Sequence, residues 1–290
     1  MMRGVSHWSV AVRRPDETIH VVDGAISPWA HGRRWARLPI IRGVVALAES
    51  LVLGFRALAI SADQAAGEET GPEGEGGLSR TAIGFTLGLS LVVAIGLFFI
   101  LPIFITNNLL NVGGSFSFWV VEGVIRLAIF LGYLWLISLM PDLRRVFQYH
   151  AAEHMTIHAH EAGAPLEPGP VSRFSRLHVR CGTAFLLIVM VVSIFVFAAV
   201  GRPSFMWLVV SRIVGVPLVA GLSYEIIRWA GRHKDAPFVR AVMAPGLLLQ
   251  RLTTRRCEDE HLEVACSALE RVLELEVRPP AWAAEVEVMA

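Results

Sequence analysis

Residues 183–224 read TAFLLIVMVVSIFVFAAVGRPSFMWLVVSRIVGVPLVAGLSY. Two apolar runs, Thr183–Val200 and Met206–Tyr224, are separated only by Gly201–Phe205. Each run has roughly the 20 residues a helix needs to cross ~30 Å of hydrocarbon. Lipid offers no water to exposed backbone groups, so such runs fold as helices, which satisfy their own N–H and C=O groups. The short connection predicts an antiparallel transmembrane hairpin.

Two similar runs, Ala82–Ile105 and Phe116–Met140, lie upstream. The whole chain agrees with them: 54% of its 290 residues are hydrophobic and its mean hydropathy is +0.55, too apolar for a soluble protein of this size. The lipid bilayer is therefore the expected partner. A net charge of +1 provides no basic field for a polyanion, which excludes nucleic acid. Three cysteines, Cys181, Cys257 and Cys266, form no disulfide framework and fit a reducing compartment. Residues 1–30 lack the apolar centre of a signal peptide, so none is expected.

Outward from the spans, arginine and lysine set the orientation, because cytoplasmic loops carry the excess. Asn107–Ser115 has none and Gly201–Phe205 has one, whereas Pro141–Gly182 has five and Ile226–Arg256 has seven. Both termini and residues 141–182 are thus expected on the cytoplasmic face of the inner membrane. Leu38–Ala62 is long enough to span, yet Arg42, Glu49 and Arg56 recur every seven residues and line one stripe of a helix. That stripe suits an amphipathic or re-entrant helix, and a crossing there would push one of the basic groups outside.

The remaining segments are shorter. His7–Val22 alternates apolar and polar residues around Pro15-Asp16-Glu17, the pattern of a β-hairpin. Asp63–Ser79 is acidic and glycine-rich, with little to bury, and reads as a disordered linker. Glu258–Glu276 puts Leu262, Ala265, Cys266, Leu269, Val272 and Leu273 on one stripe, an amphipathic helix. The expected fold is an all-α polytopic membrane protein. Its order is an N-terminal hairpin segment (1–37), the amphipathic or re-entrant helix (38–62), the linker (63–81), a first transmembrane pair (82–140), a His-rich segment (141–182), a second transmembrane hairpin (183–226) and a cytoplasmic tail (227–290).

Candidate chemistry is concentrated in RRVFQYHAAEHMTIHAHE, residues 144–161. Five of the ten histidines lie between His150 and His178, and His150, His154, His158 and Glu161 share about a quarter of one helix circumference. His150-Ala-Ala-Glu153-His154 is an H-x-x-E-H arrangement, in which two imidazoles bind zinc and the glutamate prepares a water. Glu153 lies about 100° before His154, placed to act on a water without being a ligand. A second register, His154, His158 and Glu161, competes for His154. His150 and Glu161 are roughly 16 Å apart along the axis, too far for one ion. One subset, two ions, or a division between ligands and their orienting partners all satisfy that spacing. His178 and Cys181, three residues apart before the third span, are further candidate ligands, and a thiolate favours zinc. His160 sits off this face. Within the spans, Glu122 with Arg126 and Glu225 with Arg228 are spaced for ion pairs, either as packing contacts or as a polar pocket in which Arg126 or Arg42 holds an anionic group.

Six motifs, RGVVALAESLVLG, EGVIRLAIF, the 144–161 stretch, FSRLHVRCGTAFLL, GRHKDAPFVRA and APGLLLQRLTTR, together resemble the YqhQ-like family of bacterial membrane proteins, held to be metal-dependent enzymes of unknown function. The resemblance implies that His150, Glu153, His154, His158, Glu161, His178 and Cys181 occupy family motif positions. Family members carry a Gly-Gly-Gln-Ala-Val-Ile-Glu-Gly-Val-like stretch before the segment equivalent to Met1–Gly4, so the resemblance implies either a misplaced start or a truncation, with the polar segment a candidate for substrate contacts.

The expected function is a metal-dependent hydrolase at the cytoplasmic membrane face. Zinc would be held among His150, His154, His158, Glu161, His178 and Cys181, with Glu153 as base and a peptide or lipid headgroup as substrate. The alternatives are a transporter or membrane-assembly factor with a structural metal, and a non-haem iron oxidoreductase.

Overall fold

The computed structural model describes residues 1–26, 29, 33–65, 80–110, 112, 115–178, 181–200, 205–233 and 236–277. The chain opens with a three-stranded antiparallel sheet, β1 (Met2–Arg3), β2 (His7–Arg13) and β3 (Ile19–Ala25), in spatial order β1-β2-β3. The expected hairpin is present, with Val10 opposite Val22, and β1 adds to it by pairing Met2 with Ser9. The turn is closed by Asp16, whose carboxylate accepts from both the backbone N–H and the hydroxyl of Thr18.

Alternation along β2 gives the sheet two covers. Trp8, Val10 and Val12 face α1 (Ile41–Ala65), where they pack on Leu53, Ala57 and Ile60. On the other face Ser9 donates to the Ala268 carbonyl of α10 (Asp259–Glu276). The stripe read from the sequence of α10 is buried as a unit: Leu262, Ala265, Cys266, Leu269 and Val272 pack on Ala152, Met155 and Ala159 of α5 (Pro141–Glu161) and on Val171 of the short α6 (Pro168–Val171). Each large apolar side chain so buried contributes ~1.5–3 kcal/mol, which makes the sheet, α5 and α10 one body.

The described residues include four helices long and apolar enough to cross a membrane: Ile41–Gln64, Gly88–Leu109, Phe116–Ile137 and Gly182–Ala199. Three coincide with expected spans. The first belongs to α1, the stretch expected to be amphipathic or re-entrant. It is one continuous helix, and Asp63, Gln64 and Ala65 extend it into the expected linker. The rest of that linker, residues 66–79, lies outside the described residues, as do the hairpin connection 201–204 and the tail 278–290.

The span ending at Leu109 runs from α2 (Arg80–Ile95) through a π-turn over Gly96–Ile100, α3 (Leu101–Phe104) and a second π-turn over Ile105–Leu109. Pro102, which lacks an N–H and crowds the preceding turn, accounts for the wider turns around it. It packs against α4 (Ser115–Ile137), which packs in turn on α7 (Gly182–Val200). Glu122 pairs with Arg126 inside α4, and Arg126 also donates to Ser193 of α7 at 3.1 Å, so this buried pair joins two spans. The last expected span lies in α8 (Phe205–Arg232), 28 residues and about 42 Å long. It packs antiparallel to α7, with the Phe197 ring lying where a Cβ on Gly215 would be. Arg42 of α1 grips Glu225 of α8 through two nitrogens. Both arginines proposed for an anionic group are therefore already held by carboxylates. Residues 237–253, expected to be tail, form α9 (Pro237–Thr253), which lies along α7 with Gly246 against Ala184.

Candidate metal centre

Four elements meet at the end of the spans. α5 starts four residues after α4 leaves its span at Ile137, and Cys181 directly precedes α7. α9 ends beside them at Thr253. Between α5 and α7, the segment carrying Arg176, Leu177 and His178 folds over the histidine face of α5.

The six candidate ligands fall into two groups of three. His150, His154 and Cys181 form one, and His158, Glu161 and His178 form the other; within each, the ligand atoms lie within 4.8 Å of one another. The two groups adjoin, since the His154 and His178 rings are 5.8 Å apart. His178 and Cys181, the further candidates three residues apart, belong to different groups. The competing helical registers separate in the same way: His154 joins His150, and His158 joins Glu161.

Backbone carbonyls orient three of the imidazoles. His150 Nδ1–H donates to Thr253 O (2.9 Å), His154 Nδ1–H to Arg176 O (2.7 Å) and His158 Nε2–H to Leu177 O (2.9 Å). A carbonyl only accepts, so each contact commits one ring N–H and turns the second ring nitrogen toward its group, where a ligand histidine would give up its remaining proton to an ion. The His178 backbone is clamped in turn by Gln250, whose side chain accepts from His178 N–H and donates to its carbonyl. Cys181 Sγ is 3.3 Å from His150 Nε2. Two ligands at ~2.3 and ~2.0 Å from one tetrahedral ion sit about 3.5 Å apart, so this pair already has ligand spacing.

The electrostatics favour a thiolate. Burial pushes the Cys181 thiol up, but hydrogen bonds from His150 and His154 outweigh it and bring the group down to about 5. The Thr183 backbone N–H at the start of α7 also points at Sγ, at 3.4 Å, where the helix dipole stabilises negative charge. Burial pushes His150 down, yet the Cys181 contact, the Thr253 carbonyl and Glu153 together raise it to about 9. The hydroxyl of Thr253, beside His150, is buried with no hydrogen-bond partner among the described residues.

Glu153 stands apart from both ligand groups. It shares with His150 one wall of a large groove, and its carboxylate is 3.4 Å from the Met1 amine. His160 is exposed, off the ligand face. Sequence reasoning missed Thr253, Gln250 and the carbonyls of Arg176 and Leu177. Only the Gln250 amide, in an otherwise apolar helix face, offered a signal.

Fold and site together define a class: a polytopic helical membrane protein carrying two adjoining histidine-rich clusters where its spans end. The chain belongs to the family described as protein of unknown function (DUF1385), which matches residues 38–275. It is 30% identical over 289 residues to the uncharacterized protein YqhQ of Bacillus subtilis (strain 168), across 95% of this chain and 90% of that one. The likeness carried by the six motifs thus holds over nearly the whole chain. No solved structure matches.

Proposed function

We propose that the protein is a metal-dependent hydrolase working at the membrane surface, with the ion held by His150, His154 and Cys181 and with Glu153 as base. The observation that carries this reading is the orientation of the imidazoles, each spending one nitrogen on a carbonyl and presenting the other to its group. Three protein ligands leave a tetrahedral ion one open position, the pattern of catalytic zinc sites, whereas structural sites close with four. When bound, the ion supplies the Lewis acidity that makes water a nucleophile near neutral pH. Glu153 takes the proton of the attacking water and returns it to the leaving alcohol or amine as the ester, phosphoester or amide bond breaks. A thiolate with two imidazoles favours zinc.

Metal analysis of the purified protein tests the first half. Zinc is expected at stoichiometric levels and lost in a His150→Ala/His154→Ala double variant; equal content in both removes the site. Glu153→Gln tests the second half. It is expected to keep the metal and abolish cellular function, while full function in that variant assigns the metal a structural role in a transporter or assembly factor.

One observation favours a second reading. His158, Glu161 and His178 make a set of two histidines and one carboxylate, which also suits non-haem iron with open positions for oxygen chemistry. Iron with a visible absorption band after anaerobic purification would select it.

A further inference from the structure

Beside the clusters lies a groove of about 1140 Å³, walled by α1, α5 and α10 and roofed by β2. Its volume exceeds the ~300–1,000 Å³ of ordinary small-ligand pockets. It runs along α5 from Asp142, at the end of the α4 span, to His150 and Glu153, about 16 Å of helix. Its floor is apolar and uncovered. Leu51, Phe55 and Leu58, spaced i, i+4, i+7 on α1, and Val146 on α5 line it while remaining exposed, Leu58 at 67%. The opposite stripe of α1 is engaged, Arg42 with Glu225, Glu49 with Arg3 and Arg56 over Trp8, which leaves the apolar face to the open groove.

Of the arginines in the groove, Arg14 donates to the Gln64 amide, and Arg145 has no carboxylate partner among the described residues. Arg145 stacks over the Tyr149 ring at 6.0 Å, and its guanidinium edge stays available. Arg13, which also lines the groove, is bound to Glu263. Five residues, about 7.5 Å of helix, separate Arg145 from His150.

We propose that this groove takes one acyl chain of an anionic phospholipid entering sideways from the bilayer. The chain lies on Leu51, Phe55 and Leu58, and the phosphate meets Arg145. This deepens the hydrolase reading by naming its substrate class, since it brings the lipid's ester and phosphoester bonds to His150 and Glu153. Occupancy of the groove itself does not require turnover.

The probes are phosphatidylglycerol and phosphatidylcholine, each with a photoreactive diazirine in one acyl chain, applied to the full chain in nanodiscs. Adducts are expected in the peptides covering residues 51–58 and 146, stronger with phosphatidylglycerol by about fivefold, the preference that one arginine's ~1 kcal/mol near an anionic surface provides. Arg145→Gln is expected to erase that preference, and Leu58→Trp, which fills the groove from an exposed position, to remove the adducts. Adducts confined to α2, α4 and α7, or equal labelling by both lipids in the intact protein, overturn the proposal. A protein that labels but binds no metal loses the hydrolase reading and keeps the groove; one that binds metal but does not label loses the groove alone.

Discussion

His150 and Cys181 place opposite demands on pH. His150 stands above its unfolded value, so its contribution to stability is complete below about 6.5 and is lost as pH rises through about 9. Cys181 stands below its unfolded value, so its contribution is complete above about 9 and is lost as pH falls through about 5. Both are charged together only between those limits. The metal-free protein is therefore expected to unfold at its highest temperature between about pH 5 and 9, and Cys181→Ser to flatten that maximum, as read by thermal unfolding in detergent after chelation. A maximum that survives the substitution assigns it to other groups. The histidines were legible beforehand because a helix brings residues four apart together without help from the rest of the fold. Their orienting partners were not, because Thr253 reaches His150 across 103 positions and only after α9 has folded along α7. The offset of Glu153 from His154 was legible too, but what it faces depends on α1 and α10.

Composition misleads most in α1. By length and hydropathy it matches the spans, and only the period of Arg42, Glu49 and Arg56 says that one face is committed elsewhere. The structure shows to what: its first turn to α8 and its second half to the sheet. Close approach at that first contact depends on Gly221, where an added Cβ would come within 2.6 Å of the Ile40 carbonyl oxygen. Ile40 itself has φ +70°, a left-handed backbone that a β-branched residue adopts only under constraint. Gly221→Ala is expected to destabilise the protein by ~1–3 kcal/mol, because backbone must move to admit the methyl group. Gly132→Ala in α4, with nothing within 4 Å of the new atom, is expected to be neutral or mildly stabilising through helix propensity. Equal melting temperatures for the two variants would show that the α1–α8 contact carries no such load.

Packing across the molecule bears on how often the chain is expected to cross. The sheet, α5 and α10 share one core, so residues 2–25, 141–161 and 259–276 lie on the same side of the membrane. Between the sheet and α5 stand α1 and the spans Gly88–Leu109 and Phe116–Ile137. Two crossings return the chain to its starting side and three do not, so α1 is expected not to cross if both of those spans do. By the same parity α8 is expected to cross if α7 does, because α10 comes back to α5. Four crossings are then expected, and the basic residues of 141–182 and 226–256 predict that the shared core faces the cytoplasm. With single cysteines in place of Ala62 and Leu110, both exposed, a membrane-impermeant maleimide applied to intact spheroplasts is expected to label position 110 and to reach position 62 only after lysis. Labelling of position 62 from outside would drive α1 through the bilayer. It would also break the common core that holds Glu153 and the two ligand groups beside the groove.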